Sequence, residues 1–568
     1  MTKDASFVRK ILFFLPYTAA LTHAITVNLP FTAPDNAPTV SGSLFSLSLE
    51  QDRWLDWVGT ASTGRNEFFF NTLDNLIQIT GEAPHIRIGA DSADHTDFGV
   101  GVKDAEAIFP EPTEIEPYPE ATNITVGDAF YEAVRFLPPH THVIWGVNFA
   151  TKNITSAFLQ AQAIQRAFSS NVVQDAGIIL DAVEVGNEPN IYPRNTVRPV
   201  DYNISEYVQE WIPFASNVSA ASGITPNSHT QFWGGSFADS FSELEPSTSG
   251  FSPQGLFGNG ILNSEPGKLI KTFSQHHYNA FCFSNCGTLQ LEQLLTKSTI
   301  RSNLSIFAED VAVVRDQGWE YVLGETNSNP LHGAPGLSNV AGAALWALDY
   351  ALFAAQMGVR RVFFHEGVGY KYNLIQPTTL TRSPVDGSTL PSPLPPHIQP
   401  PYYAAIIAAE AIGNNSRLGD GTRLVELALG NSANLSAYTF FEDFEDESGS
   451  GESTRSRSRL ARAVFINLEV FSSSMEKRTS VHVDFDFDFS DFGDDSDARR
   501  IAVAPSMMQV KRLAIGHADD TSGLTWGGVT YETNDGRYSG EESIEIVDVE
   551  DGFDIQATEV VLLSFLFL

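Results

Sequence analysis

The stretch Ala182-Val183-Glu184-Val185-Gly186-Asn187-Glu188-Pro189-Asn190 alternates apolar residues, ends on an Asn-Glu pair and is then broken by proline. Such a run predicts a buried strand that delivers its last residues to a rim where the chain turns sharply. A second run of the same design, Glu320-Tyr321-Val322-Leu323-Gly324-Glu325-Thr326-Asn327-Ser328, again closes on a glutamate followed by small polar residues. Two strand-end carboxylates suggest an acid/base pair. Strand ends are where a (β/α)8 barrel carries its catalytic groups, and the interval between the two glutamates leaves room for three βα units. On that count Glu188 belongs to the fourth strand and Glu325 to the seventh.

Working outward, the remaining strands fall where the count needs them: Val40–Ser48, His85–Ser92, His142–Asn148, Thr230–Ser236, Thr272–Tyr278 and Arg361–Glu366. Helical spacing separates them, as over Phe68–Ile79 and Ser156–Phe168. Eight alternating units predict a closed parallel barrel with right-handed crossovers. Leu380 to Pro401 is rich in Pro, Ser and Thr, which disfavours regular structure, and Tyr402 to Ile412 resumes as a helix closing the barrel. Beyond Asn414 come short alternating runs, Leu435–Phe440, Ala463–Leu468 and Val481–Phe487, that suggest a β-sandwich. The expected class is therefore α/β, a (β/α)8 barrel over 41–413 followed by an antiparallel β-sandwich over 414–568. The acidic and Ser-rich insert Phe441–Arg459 reads as a solvated loop, and Val560–Leu568 as a closing strand rather than a lipid-anchor signal.

At the other end, Lys3, Arg9 and Lys10 precede the apolar run Ile11–Leu21 and then Thr22-His23-Ala24. This is the form of a secretory signal over 1–24, too short to span a bilayer, so a secreted, extracellular protein is expected. Seven Asn-x-Ser/Thr sites, at Asn123, Asn153, Asn203, Asn217, Asn303, Asn414 and Asn434, agree with a secreted glycoprotein. In that compartment Cys282 and Cys286, the two cysteines, are expected to form a small local disulfide. No Cys or His cluster stands at ligand spacing along the chain, so neither metal nor cofactor is expected. With 42% hydrophobic and 18% charged residues the composition is globular, and a formal net charge of −35 argues against nucleic-acid partners. The same charge suits an extracellular enzyme in mildly acidic surroundings.

Retaining glycoside hydrolysis needs two carboxylates about 5–5.5 Å apart, one a protonated acid and the other an ionised nucleophile. Strands four and seven face each other across a barrel mouth, so Glu188 and Glu325 meet this requirement. The two roles need different pKa values, which only environment supplies. Arg87 and Tyr278, at the ends of strands two and six, are placed to keep Glu325 ionised. Asn187 is placed for a sugar 2-hydroxyl, and Asp91 adds a polar group at the second strand end. Singly, each residue has a structural reading: Glu188 as a helix cap, Glu325 as a turn residue, Arg87 as a rim ion pair, His276 and His277 as packed rim residues. Their convergence on strand ends two, four, six and seven favours the functional one.

The motifs Gly186-Asn187-Glu188-Pro189-Asn190, His276-His277-Tyr278 and Leu323-Gly324-Glu325-Thr326-Asn327-Ser328 resemble those of the retaining clan A glycoside hydrolases. The likeness is to family 79 in particular, the family of heparanase and microbial β-glucuronidases, with secreted fungal members most similar. Gly333-Ala334-Pro335, Arg361-Val362-Phe363-Phe364 and Tyr402-Tyr403 fall in the same order. The resemblance implies Glu188 as acid/base, Glu325 as nucleophile, and a sandwich to which the N-terminal segment 25–40 contributes a strand around Ile25–Leu29. It also implies that the glucuronate carboxylate is held by backbone N–H groups of Leu331-His332-Gly333 and by Tyr372, with Tyr370 as the alternative.

Heparanase-like cleavage inside a sulfated chain requires basic clusters beside the cleft, and 34 Lys and Arg stand against 69 acids with no such cluster near the strand ends. The expectation is therefore an exo-β-glucuronidase that removes terminal glucuronic acid, 4-O-methylated or not, from glycans such as arabinogalactan. The alternatives are an endo-acting enzyme of heparanase type, a clan A hydrolase of neutral sugars, and a non-catalytic carbohydrate-binding protein on the same scaffold.

Overall fold

The computed structural model describes residues 23–238, 250–279, 290–414, 421–430, 432–444, 457–489 and 504–567. Eight parallel strands close into a barrel: β1 (Phe45–Glu50), β2 (Ile86–Gly89), β3 (His142–Val147), β4 (Ile179–Val185), β5 (Gln231–Phe237), β6 (Ile270–Tyr278), β7 (Glu320–Asn327) and β8 (Arg361–Glu366). The ring closes where Val362 to Glu366 of β8 pair with Phe45 to Leu49 of β1. Inside it, Ile144, Ala182, Trp233, Val322 and Phe363 form a buried layer, with the Trp233 and Phe363 rings edge-to-face at 5.0 Å. The barrel is thus filled, and ligand access is confined to its ends. Among the described residues no helix is long and apolar enough to cross a membrane.

The second domain is a sandwich. One sheet runs in the order Arg423–Glu426, Leu435–Phe444, Arg457–Asn467, Glu559–Leu566, Met507–Ala514 and Thr525–Trp526. The other holds three strands, and His23–Pro30 from the start of the chain pairs in parallel with Ser480–Asp488, which pairs with Phe553–Gln556. Val27, Leu29, Phe465, Val483, Phe553 and Phe565 fill the space between the sheets. The helices Ala341–Gln356 and Tyr402–Ile412 are apolar almost all round, because barrel and sandwich cover them from both sides.

Three segments depart from the sequence reading. The insert expected as a loop over 441–459 is shorter, since residues 441–444 and 457–459 continue the two flanking strands, with Glu442 opposite Arg459. Opposite charges facing across an antiparallel pair stabilise a strand that looks too polar by composition. Within Leu380–Pro401, Leu380–Arg382 and Thr389–Leu394 form a small antiparallel pair despite the prolines. Proline is tolerated there because a two-stranded ribbon consists of edges. Between β2 and β3 an unexpected three-stranded sheet, Thr96–Phe98, Ala105–Ile108 and Asn123–Val126, leads into and out of the loop bearing Glu120.

The segment 1–22, Cys282 and Cys286 lie outside the described residues. Of the seven Asn-x-Ser/Thr sites, Asn123, Asn153, Asn203, Asn217 and Asn434 are exposed, and Asn303 and Asn414 are half-buried.

Candidate active site

The C-terminal ends of β1, β2, β4, β6, β7 and β8 converge on one charged cluster. Arg87, on β2 and fully buried, is its centre. Its Nε donates to Glu184 Oε2 at 2.8 Å, its Nη1 to Ser48 Oγ at 2.8 Å and to Glu325 Oε2 at 3.1 Å, and its Nη2 to Asn187 Oδ1 at 2.7 Å. A buried guanidinium is stable only when its donors are matched in this way. Glu184, pointing inward from β4, also accepts from Ser236 Oγ of β5.

Glu325 ends the inward row of β7. Tyr278 OH, from β6, donates to its Oε1 at 2.6 Å, while His276 and His365 each place Nδ1 3.8 Å from Oε2. Burial works to raise its pKa, but the neighbouring charges of His365, His276 and Arg87 and the Tyr278 hydrogen bond outweigh it, holding the carboxyl at about 2.

Glu188 lies just past β4, in the left-handed region at φ 48° and ψ 48°. For a residue with a Cβ that conformation costs of order 1–3 kcal/mol, and the surrounding contacts hold it. Its N–H donates to the Ser236 carbonyl at 2.9 Å, and Oε1 meets His276 Nδ1 at 3.0 Å. The turn also depends on Gly186, at φ 82°, where a Cβ would lie 2.7 Å from that of Phe149. Burial, then the negative charges of Glu325 and Asp91, push the Glu188 pKa well above the usual carboxylate range. One carboxylate oxygen each of Glu188 and Glu325, with one His276 nitrogen, lie within 4.8 Å of one another. His276, pushed down to about 4 by burial, is neutral above that pH.

Asn187 is fixed through its N–H, which donates to Asp94 Oδ2 at 3.1 Å, and through the Arg87 bond. Asp91 stays at the rim, half exposed and 3.3 Å from His95, and touches neither glutamate. Leu331, His332 and Gly333 all have positive φ (56°, 64° and 82°), so the chain makes a left-handed turn there. Among the described residues no protein acceptor takes the His332 or Gly333 N–H. The His332 side chain points elsewhere, with Nε2 2.9 Å from Glu120 Oε1 and its ring stacked 3.8 Å from that of Tyr370. Tyr370 OH also donates to Glu120, at 2.7 Å, whereas Tyr372 packs beside Tyr278, ring centres 6.2 Å apart.

Six members of this network escaped the sequence reading: Glu184, Asp94, Ser48, Ser236, His365 and Glu120. Glu184 carried a signal, since a charge midway along an apolar strand must find a partner inside. Asp94 accepts from the N–H groups of Phe149, Ala150 and Asn187 and from Tyr192 OH, binding the loop after β3 to the turn after β4. Nothing local to its sequence marks that role.

Residues 453–562 match the glycosyl hydrolase family 79 C-terminal beta domain. Over 92% of its length the chain is 27% identical to a beta-glucuronidase of Neurospora crassa, covering 90% of that protein. It is 26% identical to a beta-glucuronidase of Aspergillus niger, over 89% of this chain and 86% of that one. Among solved structures, a 4-O-α-L-rhamnosyl-β-D-glucuronidase from Fusarium oxysporum 12S superposes with a TM-score of 0.71 at 20% identity, over 95% of this chain and 100% of that one. A family 51 arabinofuranosidase from Xanthomonas axonopodis reaches 0.55 at 12% identity, covering 95% and 100% respectively. At these identities the structural likeness is one of fold. In sequence the chain is similar to fungal beta-glucuronidases over most of its length, and to the family 79 C-terminal beta domain over residues 453–562.

Proposed function

We propose that this protein is a retaining exo-β-glucuronidase that removes terminal glucuronic acid from glycans, with Glu325 as nucleophile and Glu188 as acid/base. The observation that carries the assignment of roles is the opposed titration of two neighbouring carboxyls, Glu325 held at about 2 and Glu188 pushed well above the usual range. Two carboxyls a short step apart with opposite protonation are what double displacement requires.

In the first step a Glu325 oxygen bonds to the anomeric carbon as the glycosidic bond breaks, and the departing oxygen takes the Glu188 proton. The Nδ1 tautomer of neutral His276 donates to Glu188 Oε1, leaving the other oxygen to carry that proton. Once Glu325 is esterified its negative charge is gone, and with it one of the causes of the raised Glu188 pKa. Glu188, now a carboxylate, takes a proton from water as the water oxygen bonds to the anomeric carbon, and Glu325 leaves as carboxylate. Asn187, its oxygen committed to Arg87, offers its amide nitrogen to the sugar 2-hydroxyl. The left-handed turn Leu331-His332-Gly333 and Tyr372 receive the glucuronate carboxylate. Tyr372 is preferred over Tyr370 because it stands beside Tyr278, which binds the nucleophile, whereas the Tyr370 hydroxyl turns away to Glu120.

The natural substrates we propose are glucuronic-acid-bearing plant-type glycans such as arabinogalactan, including 4-O-methylated ends, acted on by a secreted glycoprotein. The basic-then-apolar N-terminus and the exposed Asn-x-Ser/Thr sites support that location.

The test is hydrolysis of 4-nitrophenyl β-glucuronide beside the matched glucoside, for the wild type and for Glu325→Ala with and without azide. Preference for the glucuronide, loss in the variant and rescue by azide to a glycosyl azide of inverted configuration are expected. Activity on the glucoside alone would overturn the substrate assignment, and undiminished activity in Glu325→Ala the mechanism.

A further inference from the structure

At the pole of the barrel opposite the carboxylate pair, four strands begin with ligand-type side chains, three of which converge while the fourth, His229, reaches the shared carboxylate from outside that group. His85 immediately precedes β2, His142 opens β3, Asp181 lies near the start of β4, and His229 stands two residues before β5. The Asp181 carboxylate gathers the other three: His142 Nδ1 is 3.0 Å from Oδ1, His229 Nε2 is 3.1 Å from Oδ1, and His85 Nδ1 is 3.6 Å from Oδ2. The His85 and His142 rings stack at 4.6 Å, inclined by 7°. One ligand atom each from His85, His142 and Asp181 lie within 4.8 Å of one another. The sequence holds 13 histidines, and three of them share this single carboxylate.

We propose that His85, His142, His229 and Asp181 form a binding site for a divalent transition-metal ion, with Zn²⁺ as the fitting case. Three imidazole nitrogens and one carboxylate oxygen make a donor set that zinc takes tetrahedrally. With Zn–N bonds of about 2.0–2.1 Å, tetrahedral ligand atoms lie roughly 3.3 Å apart. The histidine-to-aspartate separations bracket that spacing, and occupation requires the two stacked rings to close toward each other and His229, outside the 4.8 Å group, to swing in. The Arg361 guanidinium lies near His85. Arg361 is the unfavourable neighbour, but its Nη1 is committed to Glu320 at 2.8 Å and its Nε to Ser43 at 3.0 Å. The site opens to solvent through His229, whose side chain is 63% exposed and which lines a cavity of about 450 Å³ with Leu180 and Thr230. The ion would tie together the starts of four adjacent strands, at the barrel end where residues serve stability rather than chemistry. Spacing along the chain does not disclose such a site, because each ligand comes from a different strand.

Isothermal titration with ZnCl₂ and thermal melts of the full chain test the proposal, with X-ray absorption at the zinc edge identifying the ligands. Glu188, His276 and Glu325 offer a competing set of donors, so Glu325→Gln is titrated in parallel. The expected result is a zinc-binding event that raises Tm, persists in Glu325→Gln and shows imidazole-rich coordination. His142→Ala and the exposed His229→Ala should weaken it by at least the roughly 10–100-fold that even outer-sphere partners contribute. His229→Ala keeps the test decisive if His142→Ala fails to fold. Absence of binding, binding indifferent to both histidine variants, or binding abolished by Glu325→Gln would each overturn it.

Discussion

Removing the Tyr278 hydroxyl takes one hydrogen bond from the Glu325 carboxylate and leaves the ring packing in place. A hydrogen bond to a charged group is worth about 1.5–3 kcal/mol, and each pKa unit is about 1.36 kcal/mol. The bond favours the ionised form, so its loss raises the Glu325 pKa from about 2. In Tyr278→Phe the acid limb of the kcat/KM profile should therefore move to higher pH by about one to two units, with the basic limb, set by Glu188, nearly unmoved. Glu188→Gln removes the proton donor. Its turnover of a poor leaving group should fall about 10²–10⁴-fold, and that of an activated aryl glucuronide much less in the first step, as burst kinetics would show. At this scale the sequence was legible where chemistry coincides with a strand end: Glu188, Glu325, Arg87, Asn187 and Tyr278 all meet in one network. It was illegible where a residue acts through distant partners, as Asp94 and Glu120 do.

Helix Ile204–Ser222 shows how one residue serves an element. Asn203 caps it by accepting from the Ser205 and Glu206 N–H groups, and Glu206 reaches back to the Asn203 N–H, a complete capping box. In protein made without N-glycans, Asn203→Ala should cost about 1 kcal/mol (range 0.5–2) in denaturant unfolding. Asn203→Asp, which destroys the Asn-x-Ser site but keeps the acceptor, should retain most of that stability, so cap and glycan effects can be told apart. Elements were most legible where breakers bound an apolar run, as Pro401 and Gly413 bound Tyr402–Ile412, whose observed bounds equal the expected ones. They were least legible at 380–401 and 441–459. There composition announced a loop while cross-strand pairing, which one segment alone does not reveal, made strands.

Across the whole molecule, barrel and sandwich share one apolar core, in which Leu345 and Ile407 of barrel helices join Tyr438, Val464 and Leu562 of the β domain. Arg301 adds a polar joint: it donates to Asp349 on a barrel helix at 2.8 Å and to Glu426 and Tyr438 of the sandwich at 2.8 Å each. Arg301→Met strands the fully buried Asp349, so a loss of about 3–5 kcal/mol is expected, read as a lower Tm in one calorimetric transition rather than the separation of two. The two-domain order was legible in the change from alternating βα units to short strands, but this coupling was not, because it rests on surfaces that meet only after both domains form. The strand His23–Pro30 carries that coupling into time. Synthesised before the barrel, it has no partner until Ser480–Asp488 has been made, with the entire barrel in between. Val27 and Leu29 must wait unpaired while the whole barrel is made. A chain stalled before residue 480 therefore exposes an orphan apolar strand ahead of a finished barrel, and damage to one segment is felt by another made long before it.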